Sequence, residues 1–160
     1  MPKRIRIGLT EQSLSRGIRE VERYKAWVMR KEKLLRTELA ALGATVASIQ
    51  FSRAIYNGSN DVSVRVDDTG SVAVIYAEGE SVAFIEFGSG IKYGYGHPQA
   101  GEHGMGPGTY PGKGNWDNEK GWWYGHGQHS YGNPPAMAMY EAVQKMAEDL
   151  TRIAREVFSA

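Results

Sequence analysis

The chain has no cysteine among its 160 residues. That excludes disulfides and thiolate metal sites, and it fits a reducing compartment. No apolar run approaches the ~18 residues that a membrane-crossing helix needs, so no membrane partner is expected. The first residues, Met1-Pro2-Lys3-Arg4-Ile5-Arg6-Ile7, are too few and too charged for a secretion signal. Three catalytic signatures are missing as well. There is no Gly-x-Ser-x-Gly elbow, no Walker lysine after Gly88-Ser89-Gly90, and no His-Glu-x-x-His. Neither catalysis nor a cofactor is expected.

Another scarcity is local. In residues 88–133 the only branched aliphatic or thioether side chains are Ile91 and Met105. The same 46-residue stretch holds 14 of the 20 glycines, all four histidines, three of the four tryptophans and five of the nine tyrosines. A stretch of this length without periodicity reads as a long loop, and long loops are functional or unordered when free. Ordering so many backbones costs more than burial of eight aromatics returns. The loop is therefore expected to be mobile in the isolated chain and to order against a partner. Its aromatic density sets it apart from ordinary linkers and suits an interface, where Trp and Tyr dominate binding energy. Tyr93, Tyr95, Trp116, Trp122, Trp123, Tyr124 and Tyr131 are the candidate partner-facing residues.

Net charge is only +1, but it is unevenly spread. Residues 1–36 carry eleven Lys or Arg against four Glu, and residues 37–160 carry eight against fourteen acids. The basic part fits contact with nucleic acid. It equally fits contact with the acidic part of a neighbouring copy in a head-to-tail assembly.

Outside the loop the periodicities are ordinary. Leu14, Ile18, Val21, Val28, Leu35, Leu39 and Leu42 follow a helical repeat, interrupted by Lys25 and Glu32. The repeat reads as one helix or two with a bend; Ser13 or Ser15 is a candidate cap, Gly43 a candidate stop, and helix is expected to about Phe51. Asn57-Gly58 makes a turn. Then Val62, Val64 and Val66 alternate, Asp67-Asp68-Thr69-Gly70 turns with solvated carboxylates, and Val72, Val74 and Tyr76 alternate again. Val82, Phe84, Ile85 and Phe87 suggest a third strand, within which Glu86 faces away from Ile85 and Phe87. After Pro134-Pro135 a last helix carries Met137, Tyr140, Val143, Met146, Leu150, Ile153 and Val157 on one stripe. The expected fold is one α+β domain spanning residues 1–160. It has a long N-terminal helix, a three- to four-stranded antiparallel meander, the loop at 88–133, and a C-terminal helix packed on the sheet.

His97, His103, His126 and His129 raise the question of a metal, and His126 with His129 has ligand-like spacing. No recognised signature accompanies them, and histidine is common in Gly/Tyr-rich loops without metal, so no metal site is expected. The aromatics of residues 116–131 also suit stacking on a glycan or on single-stranded nucleic acid. The loop is close to neutral, with Lys92, Lys113 and Lys120 set against Glu102, Asp117 and Glu119, which weakens the nucleic-acid reading.

Two segments carry a resemblance. One is Asn60-Asp61-Val62 followed by Val82-Ala83-Phe84-Ile85-Glu86-Phe87-Gly88-Ser89-Gly90. The other is Gly121-Trp122-Trp123-Tyr124 followed by Gly132-Asn133-Pro134 and by Met139-Tyr140 and Ala142-Val143. With the leading helix, these resemble the minor tail or tail-completion (head–tail joining) proteins of long-tailed bacteriophages over most of residues 10–155. The most specific part is the strand exit, with Phe84, Glu86, Phe87, Gly88 and Gly90. The resemblance implies a non-enzymatic virion protein at the head–tail junction, made in the host cytoplasm. It implies a ring, usually six-fold, that touches tail-tube and neck (connector) proteins and lies near double-stranded DNA in the channel. One departure stands out: Met137-Ala138 occupies the place where the family usually has Pro-Phe.

Overall fold

The computed structural model describes residues 4–54, 60–90, 92–93, 96–105, 118–124 and 127–159. It is an α+β fold with a long N-terminal helix, two small antiparallel two-stranded sheets and a C-terminal helix. No helix among the described residues is long and apolar enough to cross a membrane.

Helix α1 runs without a break over Glu11–Arg53. Thr10 caps it, its hydroxyl accepting the Ser13 N–H at 3.3 Å, so neither Ser13 nor Ser15 is the cap residue. At the far end the Asn60 amide donates to the carbonyls of Phe51 and Ala54. Gly43 is neither stop nor bend. It lies buried in the helix, on one face with Ala40, Ala47 and Phe51. A Cβ at Gly43 would stand 2.6 Å from both Ile75 Cδ1 and Met146 Sδ. Packing has overridden a helix-interior cost for glycine of about 1 kcal/mol.

Helix α3, Ala138–Ser159, packs antiparallel along α1. Ala138 and Ala142 meet Ala47 and Phe51 at one end, while Phe158 meets Trp27 edge-on at 5.8 Å at the other. The helix begins at Ala138, later than the Pro134-Pro135 signal suggests, because Met137 sits at φ 52° and breaks the helical backbone. The expectation that this helix packs on a sheet is corrected: its main neighbour is α1.

Strands β1 (Ser63–Asp67) and β2 (Val74–Glu78) form an antiparallel ribbon with Arg65 opposite Tyr76 and Val66 opposite Ile75. Val62, Val64 and Ala77 pack on the core, and Ile75 reaches Gly43. Val72, Val74 and Tyr76, read from sequence as one apolar face, point outward. Arg36 on α1 grips the connecting turn. Its guanidinium donates to Asp68 at 2.8 Å, to Glu32 at 2.7 Å and to the carbonyls of Ser71 and Gly70. The Thr37 hydroxyl donates to the other Asp68 oxygen. Asp68 is therefore an anchor and not a solvated turn residue.

The third strand is absent, and with it the meander. Residues Val82–Phe87 form a short helix, α2. Two apolar residues in succession at Phe84 and Ile85 break the alternation of a strand, and Val82, Ile85 and Glu86 fit helical spacing. The Asp61 carboxylate accepts the N–H groups of Glu80 and Ser81 just ahead of it, which holds the turn into the helix. Ile85 and Glu86 both become buried.

The 88–133 stretch is not devoid of regular structure. Gly101–His103 is a 3₁₀ turn, and β3 (Trp122–Tyr124) pairs with β4 (Gln128–Ser130). Ala100 and Met105 form a small second core with Ala83, Phe84 and Phe87.

Two predictions follow from this packing. Gly43→Leu should destabilise the protein by about 1–3 kcal/mol through overpacking, measured by urea unfolding; unchanged stability would refute the close α1–β2–α3 approach. The Asp68 carboxyl is held below the ordinary carboxylate range by the Thr37 hydroxyl first and the Arg36 guanidinium next. Its contribution is present above about pH 4 and is lost as pH falls through the lowered folded value. Asp68→Asn should lower the melting temperature at neutral pH and make its decline below about pH 4 shallower than in the wild type.

Candidate partner-docking site

The site is built on the base of the long loop. There the chain leaves α2 and returns to α3 through backbone-to-backbone contact. Ser89 N–H donates to Asn133 O at 2.9 Å, and Asn133 N–H donates to Ser89 O and to Ser89 Oγ, each at 3.1 Å. Gly88, Gly90 and Gly132 all have positive φ here. A Cβ on Gly132 would stand 1.9 Å from Ser89 O, and one on Gly90 would stand 2.5 Å from Tyr131 O. Only glycine permits this neck. The carbonyls of Ile85 and Glu86 accept the N–H groups of Ala136 and Met137 beside it.

Glu86 organises the same region. Its side chain is buried and accepts the Met139 N–H at 2.9 Å and the Tyr140 N–H at 3.0 Å, capping α3 from another element. Its Oε1 also meets His97 Nε2 at 3.3 Å. Because His97 Nδ1 accepts the Gln99 N–H, the neutral ring carries its proton on Nε2 and donates it to Glu86. His97 is buried edge-on against Phe87 and Tyr140. A recess of about 340 Å³ borders Glu86 and His97. Both carboxylate oxygens are occupied by protein donors, so Glu86 is a structural node here.

Outward from the neck, the β3–β4 hairpin sorts its aromatics by strand alternation. Trp122 is 8% exposed and Trp123 is 70% exposed. Trp123 meets His129 across the ribbon at 4.8 Å, His129 meets Tyr131 at 4.7 Å, and the Lys92 ammonium lies 5.3 Å from the Tyr131 ring. The result is a row in which Trp123 and Tyr131 are exposed and His129 is half-buried between them.

The sequence candidates therefore divide. Trp123 and Tyr131 share the exposed row, and Tyr93 sits on a turn near the neck. Trp122 is corrected: it is buried and unavailable to a partner. Tyr124 lies on β3 opposite Gln128. Tyr95 and Trp116 lie outside the described residues, as does His126. Phe84, Glu86, Phe87, Gly88 and Gly90 form a helix exit and not a strand exit. Ser89, His97, Asn133 and Tyr140 complete the neck and were not foreseen; the one available signal was the pairing of Gly88-Ser89-Gly90 with Gly132-Asn133. Among the described residues no group of three His, Asp or Glu is placed to hold a metal ion.

The chain matches no protein-family model, no curated protein and no solved structure.

Glu86→Ala should cost about 2–4 kcal/mol, since it leaves two helix N–H groups and His97 without their acceptor. Glu86→Gln, which keeps an acceptor oxygen, should cost less. Urea unfolding of both variants checks the order; equal and negligible losses would refute the capping role.

Proposed function

We propose that the protein is a structural component of a phage virion at the head–tail junction, where it assembles as a ring and docks tail-tube and neck proteins. The observation that carries this reading is the neck. The two sequence segments that resemble tail-completion proteins, 82–90 and 132–143, are the two sides of one hydrogen-bonded unit. Segments that share a family pattern and also meet in space are a stronger sign than either alone. The row with exposed Trp123 and Tyr131 on either side of His129 suits a docking surface. The uneven charge suits contact between unlike faces of neighbouring copies.

The departure at Met137 has a physical side. Its φ of 52° is closed to proline, whose ring fixes φ near −65°. The helix start here is therefore built differently from one with Pro at that position.

A second reading draws on the same row: an exposed Trp beside His, Tyr and Lys is also a stacking platform for a sugar or an unpaired base.

The double variant Trp123→Ala, Tyr131→Ala should keep its fold by circular dichroism and weaken binding to tail-tube or neck proteins about 10- to 100-fold. Light scattering of the mixtures and an in vitro head–tail joining assay measure this; wild-type joining by the variant overturns the reading. Tryptophan fluorescence on titration with oligosaccharides or single-stranded DNA separates the second reading, which a flat response eliminates.

A further inference from the structure

Helix α1 outruns everything packed on it. Helix α3 is 22 residues long against 43 for α1, and its end, Phe158, lies at Trp27. Since the two helices are antiparallel, residues 11–26 of α1 project past the end of α3 as an arm about 24 Å long at 1.5 Å per residue. The helix face that carries the half-buried Leu35 and Leu39, which share a recess with Met139, Ala142, Val143 and Met146 of α3, continues along this arm as Leu14, Ile18 and Val21, which are 49–59% exposed. Lys25 carries the same line one turn further. Among the described residues ahead of the helix, Ile7 folds back onto Gly17 and the Gly8 N–H donates to Ser13 Oγ.

A second uncovered stripe lies on the outer face of the β1–β2 ribbon. Val74 and Tyr76 on β2, with Val72 on the bend just before it, are 37–65% exposed, and no third strand or helix covers them among the described residues. The two stripes match in length, about 11 Å over the seven helical steps from Leu14 to Val21 and about 13 Å over the four extended steps from Val72 to Tyr76. Their charges are opposite. Residues 4–26 carry six Lys or Arg against three Glu, whereas of the five acids in residues 61–80 Asp61 and Asp68 are bound within the chain, which leaves Asp67, Glu78 and Glu80 against Arg65.

We propose that the arm of one copy lies across the outer face of the β1–β2 ribbon of the next, with Leu14, Ile18 and Val21 on Val72, Val74 and Tyr76, and with Lys25 toward the acidic rim. This rests on the ring reading above and names the surfaces that make the ring. Arm against arm, or ribbon against ribbon, sets like charge against like. Arm against ribbon joins unlike faces, so each copy keeps one free donor and one free acceptor, and the contact propagates head to tail until it closes.

The absence of cysteine makes the test direct. Ile18→Cys and Val74→Cys each replace an exposed side chain. Chains of the two variants are mixed under mild oxidation at a concentration where light scattering shows self-association. The expected product is a disulfide-linked pair of one chain of each kind, with the double variant Ile18→Cys, Val74→Cys giving a ladder of linked oligomers. Lys25→Glu should lower the association constant at least 10-fold, and adding Glu78→Lys should restore most of it. Ile18→Cys chains that link to each other as fast as to Val74→Cys chains overturn the proposal in favour of arm–arm pairing. Rings that form without the Ile18–Val74 link overturn this contact and leave the ring reading standing. A chain that stays monomeric alone and with tail-tube and neck proteins overturns both.

Discussion

A carboxylate removed from water must find donors or lose its charge. Glu86 finds three: two backbone N–H groups at the start of α3 and the Nε2–H of His97. Those donors come from two separate parts of the chain, the start of α3 and the first part of the loop, so satisfying one charge ties both of them to α2 at once. The helix start is a favourable place for an anion because its N–H groups are otherwise unpaired and its dipole is positive there. With Glu86 in place, Ile85 turns into the core beside Phe51 and Ala138, and His97 closes over Phe87 and Tyr140. The docking of α2, the orientation of α3 and the first turn of the loop thus share one cause.

The long helices were legible because periodicity accumulates with length. The Leu14-to-Leu42 spacing marked α1, and the Met146-to-Val157 stripe marked α3. The β1–β2 ribbon was legible from alternation, although on β2 the alternation picks out Val74 and Tyr76, which point outward, while Ile75 and Ala77 face the body: valine and tyrosine fit either side of a two-stranded ribbon. The segment Val82–Phe87 was not legible. Six residues are too few for a period to settle, and their β-branched and aromatic content favours strand. What makes them helical lies elsewhere, in the Asp61 carboxylate before them and in the α3 N–H groups 53 and 54 positions after Glu86.

The candidate site was legible in part. The glycines at 88 and 90 permit close backbone approach, but their partner at 131–133 lies across a 46-residue stretch that no local pattern bridges. Trp122 and Trp123 looked equivalent in sequence because glycine-rich flanks supply no alternation to tell inside from outside. Their separation follows from the β3–β4 register alone.

The neck has a further consequence for how such a chain can change over time. The ends of the insert are held by their own hydrogen bonds, next to Glu86, before anything between them is specified. The entropy of closing a loop grows only slowly with its length, about 0.6 kcal/mol per doubling. Changes in length between Met105 and β3, which spare His97, Ala100 and Met105, therefore carry little loop-closure penalty for the helical body. The body acts as a fixed handle, and the insert as an exchangeable tip that can follow a changing counterpart.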